Sequence, residues 1–239
     1  MRPHFCHCLV AGLFLVLLIL ATPQPVSATI VFDDHFDGNS GGMPEGWHLL
    51  FGSGTVVESG TTVTFCDDVG IGSSVLIEPF EGTVVITTEI AQNDTEFGVG
   101  AFVASPDISS YFGSSLYVTN GEIEVVAGDI EGGEQRYVAG YLNEYAGGAI
   151  QLTITMEALT FSISTDFPPF STGPIQYSDA FPAFTREDLG SSVFPALANG
   201  AGVGGLDDCS SIDRITVDVE GATPVGSMTF GRIKALFRR

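Results

Sequence analysis

The segment from position 148 to 167 constrains the fold more than any other part of the chain. Its sequence, GAIQLTITMEALTFSISTDF, places apolar residues at positions 150, 152, 154 and 156 and, after a turn near Glu157, at 159, 161 and 163. A period of two puts alternate side chains on opposite faces of a strand, so the segment predicts a β-hairpin with one apolar and one threonine- and serine-rich face. A two-stranded hairpin is marginally stable alone in water, so the apolar face requires a second sheet.

The same pattern of strand and turn continues from Thr29 to Glu220. About a dozen segments are rich in β-branched and aromatic residues, and turn sequences such as Asn120-Gly121 separate them. No helical period interrupts these segments, and the chain contains 30 glycines. We therefore predict an all-β domain over residues 29–221, with two antiparallel sheets packed face to face.

Residues 168–205 interrupt this rhythm and contain five prolines. A loop of this length without secondary structure is uncommon inside a compact domain, so we predict a further strand at 193–198. The segment is also rich in aromatic residues. These residues either pin the segment onto the sandwich or line the rim of a ligand groove: Phe167, Phe170, Tyr177, Phe181 and Phe184.

Residues 1–28 have the features of a secretory signal peptide. Arg2 precedes an apolar run from Leu9 to Ala21, and the small residues VSA at 26–28 form a cleavage site. The apolar run is too short to span a bilayer comfortably. We predict that the mature chain has no transmembrane span and is secreted or at the cell surface, in an extracellular or periplasmic compartment.

Cys66 and Cys209 are the cysteines that remain once the signal peptide is removed. In an oxidising compartment two such residues most simply form a disulfide, and the alternative is a pair of unpaired buried thiols. A zinc site is not expected, because the mature chain keeps only His35 and His48 and has no Cys-x-x-Cys sequence.

The charge of the chain is strongly asymmetric. Residues 29–221 contain three arginines and all 29 acidic residues, a net charge of −26. Such a body repels nucleic-acid phosphates, so we predict no nucleic-acid partner. The acidic surface either attracts cations or is an adaptation for solubility in salty surroundings.

Residues 222–239 form a basic C-terminal tail, ATPVGSMTFGRIKALFRR. Phe230, Ile233, Leu236 and Phe237 recur at helical spacing with basic residues between them, which predicts a short amphipathic basic helix. Three interpretations of this tail stay open. It is disordered, it docks on the acidic body, or it is a sorting or envelope-binding tag.

Three stretches of the sequence resemble a known family. FDDHFDGNSGGMPEGWHLLFGSGTVVESG at 32–60, GGAIQLTITMEALTFSIS in the centre and GVGGLDDCSSIDRITVDV at 202–219 together resemble the concanavalin A-like lectin/glucanase sandwiches of secreted bacterial proteins, of the laminin-G-like type. The resemblance implies a jelly-roll sandwich in which the first and last strands are paired, so that the two ends of the domain meet.

Clusters of aspartate at the two ends suggest a structural calcium ion, which families of this kind often carry near such positions. Calcium takes six to eight oxygen ligands from carboxylates and loop carbonyls. The alternative is that these residues are solvated acids at turns, where aspartate is common for its own hydrogen bonding. The predicted ligands are Asp33, Asp34 and Asp37 at the entry and Asp207 and Asp208 at the exit.

Three tyrosines are candidates for stacking on a sugar: Tyr137, Tyr141 and Tyr177. Tyr137 and Tyr141 lie at alternate positions of one segment and are predicted to share a strand face, either as a sugar platform or as cross-strand packing. Trp47 is the sole tryptophan, and we interpret it as a core residue beside the entry strand in preference to a sugar-binding residue.

The catalytic signature of the resembled family is incomplete. Retaining glucanases of this fold carry Glu-x-Asp-x-x-Glu on one strand, whereas here Glu122-Ile123-Glu124 is followed by Val125, Val126 and Ala127. We therefore predict a secreted, non-catalytic module that binds glycan or serves as an envelope or matrix component. The alternatives are a glycoside hydrolase or polysaccharide lyase without the usual motif, and a surface-display protein sorted by its C-terminal tail.

Overall fold

Antiparallel strands make up most of the protein. The computed structural model describes residues 28–38, 40–78, 81–93, 99–117, 122–129, 133–141, 148–155, 158–166, 169–183, 185–199, 209–220 and 223–227. The strands are β1 Ala28–Asp34, β2 Trp47–Gly52, β3 Thr55–Ser59, β4 Thr62–Cys66, β5 Val69–Ser73, β6 Val75–Glu78, β7 Thr83–Asn93, β8 Val99–Ala104, β9 Ser110–Tyr117, β10 Glu122–Asp129, β11 Gly133–Tyr141, β12 Gly148–Thr155, β13 Thr160–Thr165, β14 Phe170–Ser171, β15 Ile175–Gln176, β16 Phe194–Asn199, β17 Cys209–Glu220 and β18 Thr223–Ser227. Two single-turn helices, α1 Tyr177–Ala180 and α2 Arg186–Leu189, lie between β15 and β16.

The strands form two large sheets. The back sheet has nine strands, in the order β14-β13-β12-β7-β17-β4-β3, with β1 also paired to β17 and β15 to β13. The front sheet has seven strands, in the order β11-β10-β9-β8-β16-β5-β2. A small third sheet pairs β18 with β6. The prediction of an all-β, two-sheet antiparallel sandwich is confirmed.

The core lies between the two large sheets and follows the alternation of the sequence. The predicted hairpin is β12–β13, with Leu152 opposite Ile163 and Ile154 opposite Phe161. All four side chains are buried, as are Val125 and Leu197 on the facing side of the front sheet. Burial of such apolar area contributes roughly 25 cal/mol per Å² to folding.

The segment after β13 packs back onto the sandwich through aromatic side chains. The ring of Tyr177 stacks on Phe112 at a centroid distance of 4.8 Å, and Phe181 meets Phe161 at 5.6 Å. The same segment supplies β16, which confirms the further strand predicted near 193–198. Aromatic packing of this kind is worth about 0.5–1.5 kcal/mol per pair beyond the buried area.

The two ends of the domain meet, as the jelly-roll resemblance implies. Strand β1 pairs antiparallel with β17, and Asp33 lies opposite Thr216. Trp47 is buried against Phe32 and Phe36, which makes it a core residue. The predicted disulfide is also present, since Cys66 and Cys209 are bonded between the paired strands β4 and β17.

Both predicted terminal segments extend outside the described residues. The signal peptide falls almost wholly in 1–27, and the predicted basic helix falls in 228–239. Residues 223–227, which the sequence groups with the tail, form β18, and Thr223 pairs with Glu78. Within the described ranges, no helix is long and apolar enough to cross a membrane.

Candidate functional site

The front sheet has a second face that points away from the core, here called the outer face. In β10, Ile123, Val125 and Ala127 belong to the core, so the residues between them point outward. The register extends this alternation to the other strands. Across the strands the outer face carries Gly70, Gly72, Gly100, Phe102, Tyr111, Gly113, Ser115, Glu122, Glu124, Val126, Gly128, Arg136, Tyr141, Phe194 and Ala198.

Aromatic rings lie directly against glycine backbone on this face. A Cβ atom built on Gly128 would lie 2.6 Å from the Tyr111 ring, and one built on Gly72 would lie 2.6 Å from the Phe194 ring. Phe102 covers Gly100 and Gly113 in the same way. Glycine in a strand interior often marks such a close approach. These glycines therefore allow rings to lie low on the sheet.

One end of the outer face is an apolar patch. Ala104, Ile108, Phe194 and Ala196 form a buried cluster that is separate from the main core. Phe102 packs against it and meets Tyr111 in a T-shaped contact at 5.9 Å. His48 lies beside the patch, 6.2 Å from the Phe194 ring, and burial lowers its pKa. A neutral imidazole suits this apolar neighbourhood.

The other end is polar and is centred on Glu124. This residue is 7% exposed, and its Oε2 accepts a hydrogen bond of 3.3 Å from Nη1 of Arg136 on the neighbouring strand. Ser115 lies directly opposite Glu124 on β9 and is 5% exposed. Within the described part of the chain, Oγ of Ser115 has no hydrogen-bond partner. A buried hydroxyl without a partner costs about 1–3 kcal/mol, so this position is suited to receive a polar group.

Two further side chains extend the polar end toward solvent. Glu122 lies two residues before Glu124 on the same face of β10. Tyr141 lies directly opposite Glu122 on the edge strand β11, and 62% of it is exposed. An exposed ring beside a carboxylate provides both a stacking surface and a charged hydrogen-bond acceptor.

The three predicted sugar-binding tyrosines do not lie together. Tyr141 lies on the outer face, whereas Tyr137 lies opposite the core residue Val125 and meets Phe161 at 5.8 Å. A register shift in the β10–β11 pairing separates them, so alternate positions fall on opposite faces. Tyr177 is buried in the aromatic cluster of the core, and burial raises its pKa well above the usual value.

The predicted calcium ligands at the entry have other partners. Asp33 accepts two hydrogen bonds of 2.9 Å from Arg214, and Asp34 accepts one of 2.7 Å from Nε1 of Trp47. These bonds occupy part of the acceptor capacity of each carboxylate, and the predicted role of Asp33 and Asp34 as calcium ligands stays a prediction. Asp207 and Asp208 lie outside the described residues, and no group of three or more potential metal ligands occurs within them. A calcium site that uses Asp37 with Asp207 and Asp208 stays a prediction, and melting curves in calcium and in chelator would test it.

A depression of about 590 Å³ lies between the β8–β9 turn and α2. One of its carboxylates, Asp107, accepts hydrogen bonds from Oγ of Ser105 at 2.7 Å and from Oγ and N of Ser109 at 2.8 and 3.1 Å. Burial acts to raise the pKa of Asp107, but these bonds outweigh it and hold the pKa below its usual value. The carboxylate thus shapes the turn.

Sequence reasoning missed most of the outer face. Ser115, Arg136, Phe102 and Tyr111 were not among the predicted site residues. The glycines in the strand-like segments could have indicated this face, because glycine inside a strand often marks a close approach of another group. They lie at positions 70, 72, 100, 113 and 128. The strand order that brings these positions together is not readable from local pattern.

Comparison with known proteins identifies the fold. No family model and no curated protein matches the chain. β-Agarase A from Zobellia galactanivorans matches with a TM-score of 0.59 at 11% identity, covering 86% of this chain and 96% of that one. An endo-1,3-β-glucanase from Streptomyces sioyaensis has a TM-score of 0.52 at 13% identity, covering 86% and 100%. A protein from Mycobacterium tuberculosis, described as an immunostimulatory antigen and pseudo β-1,3-glucanase, has a TM-score of 0.52 at 17% identity, covering 79% and 98%.

These similarities define the class of the protein at the level of architecture. The chain has the concanavalin A-like β-sandwich fold of β-glucanases and agarases. The resemblance predicted from the three sequence stretches is therefore confirmed for the fold. Identities of 11% to 17% carry no statement about activity.

Proposed function

We propose that this chain is an exported, non-catalytic β-sandwich that binds glycan on the outer face of its front sheet. The observation that carries the proposal is the composition of β10. Glu122 and Glu124 point outward, and the next outward residue is Val126, which is buried at 3% exposure. The third acid of the Glu-x-Asp-x-x-Glu pattern would fall at position 127, where this chain has the buried core residue Ala127.

Hydrolysis of a glycosidic bond requires one carboxyl group that donates a proton and a second that acts as nucleophile or base. Glu124 is already hydrogen-bonded to the guanidinium of Arg136, so one of the two outward carboxyl groups of β10 has a charged protein partner. The outer face keeps polar and aromatic groups that recognise sugar hydroxyls and ring faces. Binding without turnover follows from this combination.

The comparisons support a glycan ligand by analogy of fold. Several of the similar structures are β-1,3-glucanases, and one is described as a pseudo β-1,3-glucanase. Secretion, predicted from residues 1–28, agrees with access to extracellular polysaccharide. The disulfide between Cys66 and Cys209 also agrees with an oxidising compartment.

Binding to a panel of purified oligosaccharides, measured by calorimetry on the folded mature chain, tests the proposal. We expect at least one β-linked glycan to bind, and Tyr141→Ala to weaken it by about 3- to 10-fold through loss of ring stacking. Gln151→Ala, at an exposed position of the back sheet, is the matched control and should leave affinity unchanged.

Two results would contradict the proposal. The first is the absence of binding to every glycan by a chain whose circular dichroism shows a folded β protein. The second is the appearance of new reducing ends when the chain is incubated with the bound glycan, which would show hydrolysis.

A further inference from the structure

Part-exposed apolar side chains cross the apolar end of the outer face, above its buried cluster. Leu50 and Phe51 come from the edge strand β2, and the ring of Phe51 covers Gly70. Phe102 on β8 and Tyr111 on β9 continue the row. Phe51 is 49% exposed, and the other three are partly exposed. These four residues, here called the apolar band, span four strand spacings from β2 to β9, or about 19 Å.

Acidic side chains border the apolar band at the β8–β9 turn. Ile108 in this turn belongs to the apolar cluster beneath the band, and the neighbouring Asp107 lines the depression of about 590 Å³. Glu187 and Asp188 of α2 line the same depression. All three acids are exposed. An apolar strip beside a group of carboxylates fits an amphipathic helix that has basic residues next to its apolar face.

The C-terminal segment, residues 228–239, has the matching composition. On a helix its apolar residues fall within an arc of about 120°. A helix of this length is marginal alone in water, so its apolar stripe needs a surface to pack on. The apolar residues are Phe230, Ile233, Leu236 and Phe237, and the basic residues on the rest of the circumference are Arg232, Lys234, Arg238 and Arg239.

Strand β18 brings the start of this segment close to the apolar band. Ser227, the last described residue, pairs with Val75 of β6. Ile77 of the same strand pairs with Val193, which precedes Phe194 of the apolar cluster. Two strand spacings, about 10 Å, therefore separate β18 from β16. Twelve residues measure about 18 Å as a helix and about 40 Å when extended, so the segment is long enough to cross the band.

We infer that residues 228–239 dock as a short helix on the apolar band of their own chain, with basic side chains directed toward the acids of the depression. Attachment at Ser227 favours this occupant over a second molecule, because a tethered segment meets its site at an effective concentration on the order of mM. The net charge of −26 on residues 29–221 also attracts the four basic residues. The inference goes beyond the proposed function, and its test needs no glycan.

Lys234 is the sole lysine of the sequence, so cross-linking of its amine reports where the segment lies. A carbodiimide activates a carboxyl group, and the amine of Lys234 then forms an amide with it while the carbodiimide becomes a urea. The mature full-length chain is treated at low salt, and the linked peptides are identified by mass spectrometry. We expect most links of Lys234 to join Asp107, Glu187 or Asp188 of the same chain, at a yield that does not depend on protein concentration.

Matched substitutions separate docking on the band from general attraction to an acidic protein. Phe51→Ser removes the half-exposed ring and should lower the yield of these links about 5-fold. Val57→Ser removes an apolar side chain that is 40% exposed on β3 of the back sheet, and should leave the yield unchanged. A chain with Ile233→Ser and Phe237→Ser keeps every basic residue and an unaltered sandwich, and should lose as much yield as Phe51→Ser.

Absence of links between Lys234 and the three acids of the depression overturns the inference, and the links that form instead show why. Links to back-sheet acids such as Glu89 and Asp218 would indicate attraction without a site. Links only between chains, lost on dilution, would assign the segment to a second copy. Binding of the chain to anionic lipid vesicles without links would favour the envelope tag. Equal losses for Phe51→Ser and Val57→Ser also overturn the inference.

Discussion

Asp34 accepts a hydrogen bond of 2.7 Å from the indole Nε1 of Trp47, across thirteen residues of chain. The other carboxylate oxygen of Asp34 accepts the backbone N–H of Phe36 at 2.9 Å, and Phe36 has a φ of 49°. One aspartate thus satisfies the buried tryptophan and supports a left-handed residue. Asp34 therefore has a structural role beside the core, whether or not it also binds calcium.

Replacement of Asp34 by alanine should destabilise the fold by about 1–3 kcal/mol, because it leaves the indole N–H and a backbone N–H without acceptors. Trp47 is the single tryptophan, so its fluorescence in a urea titration reports the change directly. Asp37→Ala, an exposed position in the same turn, is the control and should cost less than about 0.5 kcal/mol. Equal effects of the two changes would contradict this role for Asp34.

The disulfide joins residues 143 positions apart and lies between two neighbouring strands of the back sheet. Replacing Cys66 and Cys209 with serine should lower stability by about 2–5 kcal/mol, mainly because the unfolded chain regains freedom. Thermal melting of the double variant against the oxidised chain measures this loss. A matching loss should follow reduction of the native protein, and an unchanged melting temperature in reductant would contradict the prediction.

Gly113 is a position where an added methyl group has no room. A Cβ atom there would lie 2.5 Å from the Phe102 ring and closer still to a backbone oxygen. Gly113→Ala should destabilise the protein by about 1–3 kcal/mol through overpacking. Gly173 has no atom within 4 Å of the corresponding position, so Gly173→Ala should change stability little. Chemical unfolding of both variants tests the contrast.

The architecture of the fold was predictable from the sequence to a greater extent than the candidate site, because burial follows local alternation of apolar residues. Alternation at positions 150–163 determines which side chains are buried, and burial of that face demands a second sheet. The further strand β16 was predictable because residues 168–205 would otherwise be an unusually long loop without secondary structure. The pairing of Cys66 with Cys209 followed from there being two cysteines after the predicted signal peptide, which predicts export to an oxidising compartment.

The site depends on details that local pattern does not contain. Tyr137 and Tyr141 have the spacing of one face, yet a register shift opposite Ile123 puts them on different faces. The hydrogen bond from Arg214 to Asp33 joins residues 181 positions apart through the pairing of β1 with β17, and no local pattern shows it. A site assembled from strands far apart in sequence needs the register of every strand between them.

The ion pair at the domain ends makes stability depend on pH. Hydrogen bonds from Arg214 outweigh burial and lower the pKa of Asp33, whereas burial, with repulsion from Asp33, raises the pKa of Asp218. A lowered folded pKa contributes stability above the ordinary value of 3.8 that is lost as pH falls through the folded pKa. A raised folded pKa acts in the opposite sense, and costs stability once pH exceeds it.

Asp33→Asn should therefore destabilise the protein by about 1 kcal/mol at pH 7, and Asp218→Asn should stabilise it by less than about 1 kcal/mol. The Asp33 difference should shrink as pH falls below 3.8 and through the lowered folded pKa, whereas the Asp218 difference should shrink at higher pH, as pH falls through the raised folded pKa toward 3.8. Urea unfolding of the three proteins at neutral and acidic pH, with Asp37→Asn as an exposed control, measures the differences. If both substitutions shifted stability in the same direction at pH 7, the opposite pKa shifts assigned to the two carboxylates would be wrong.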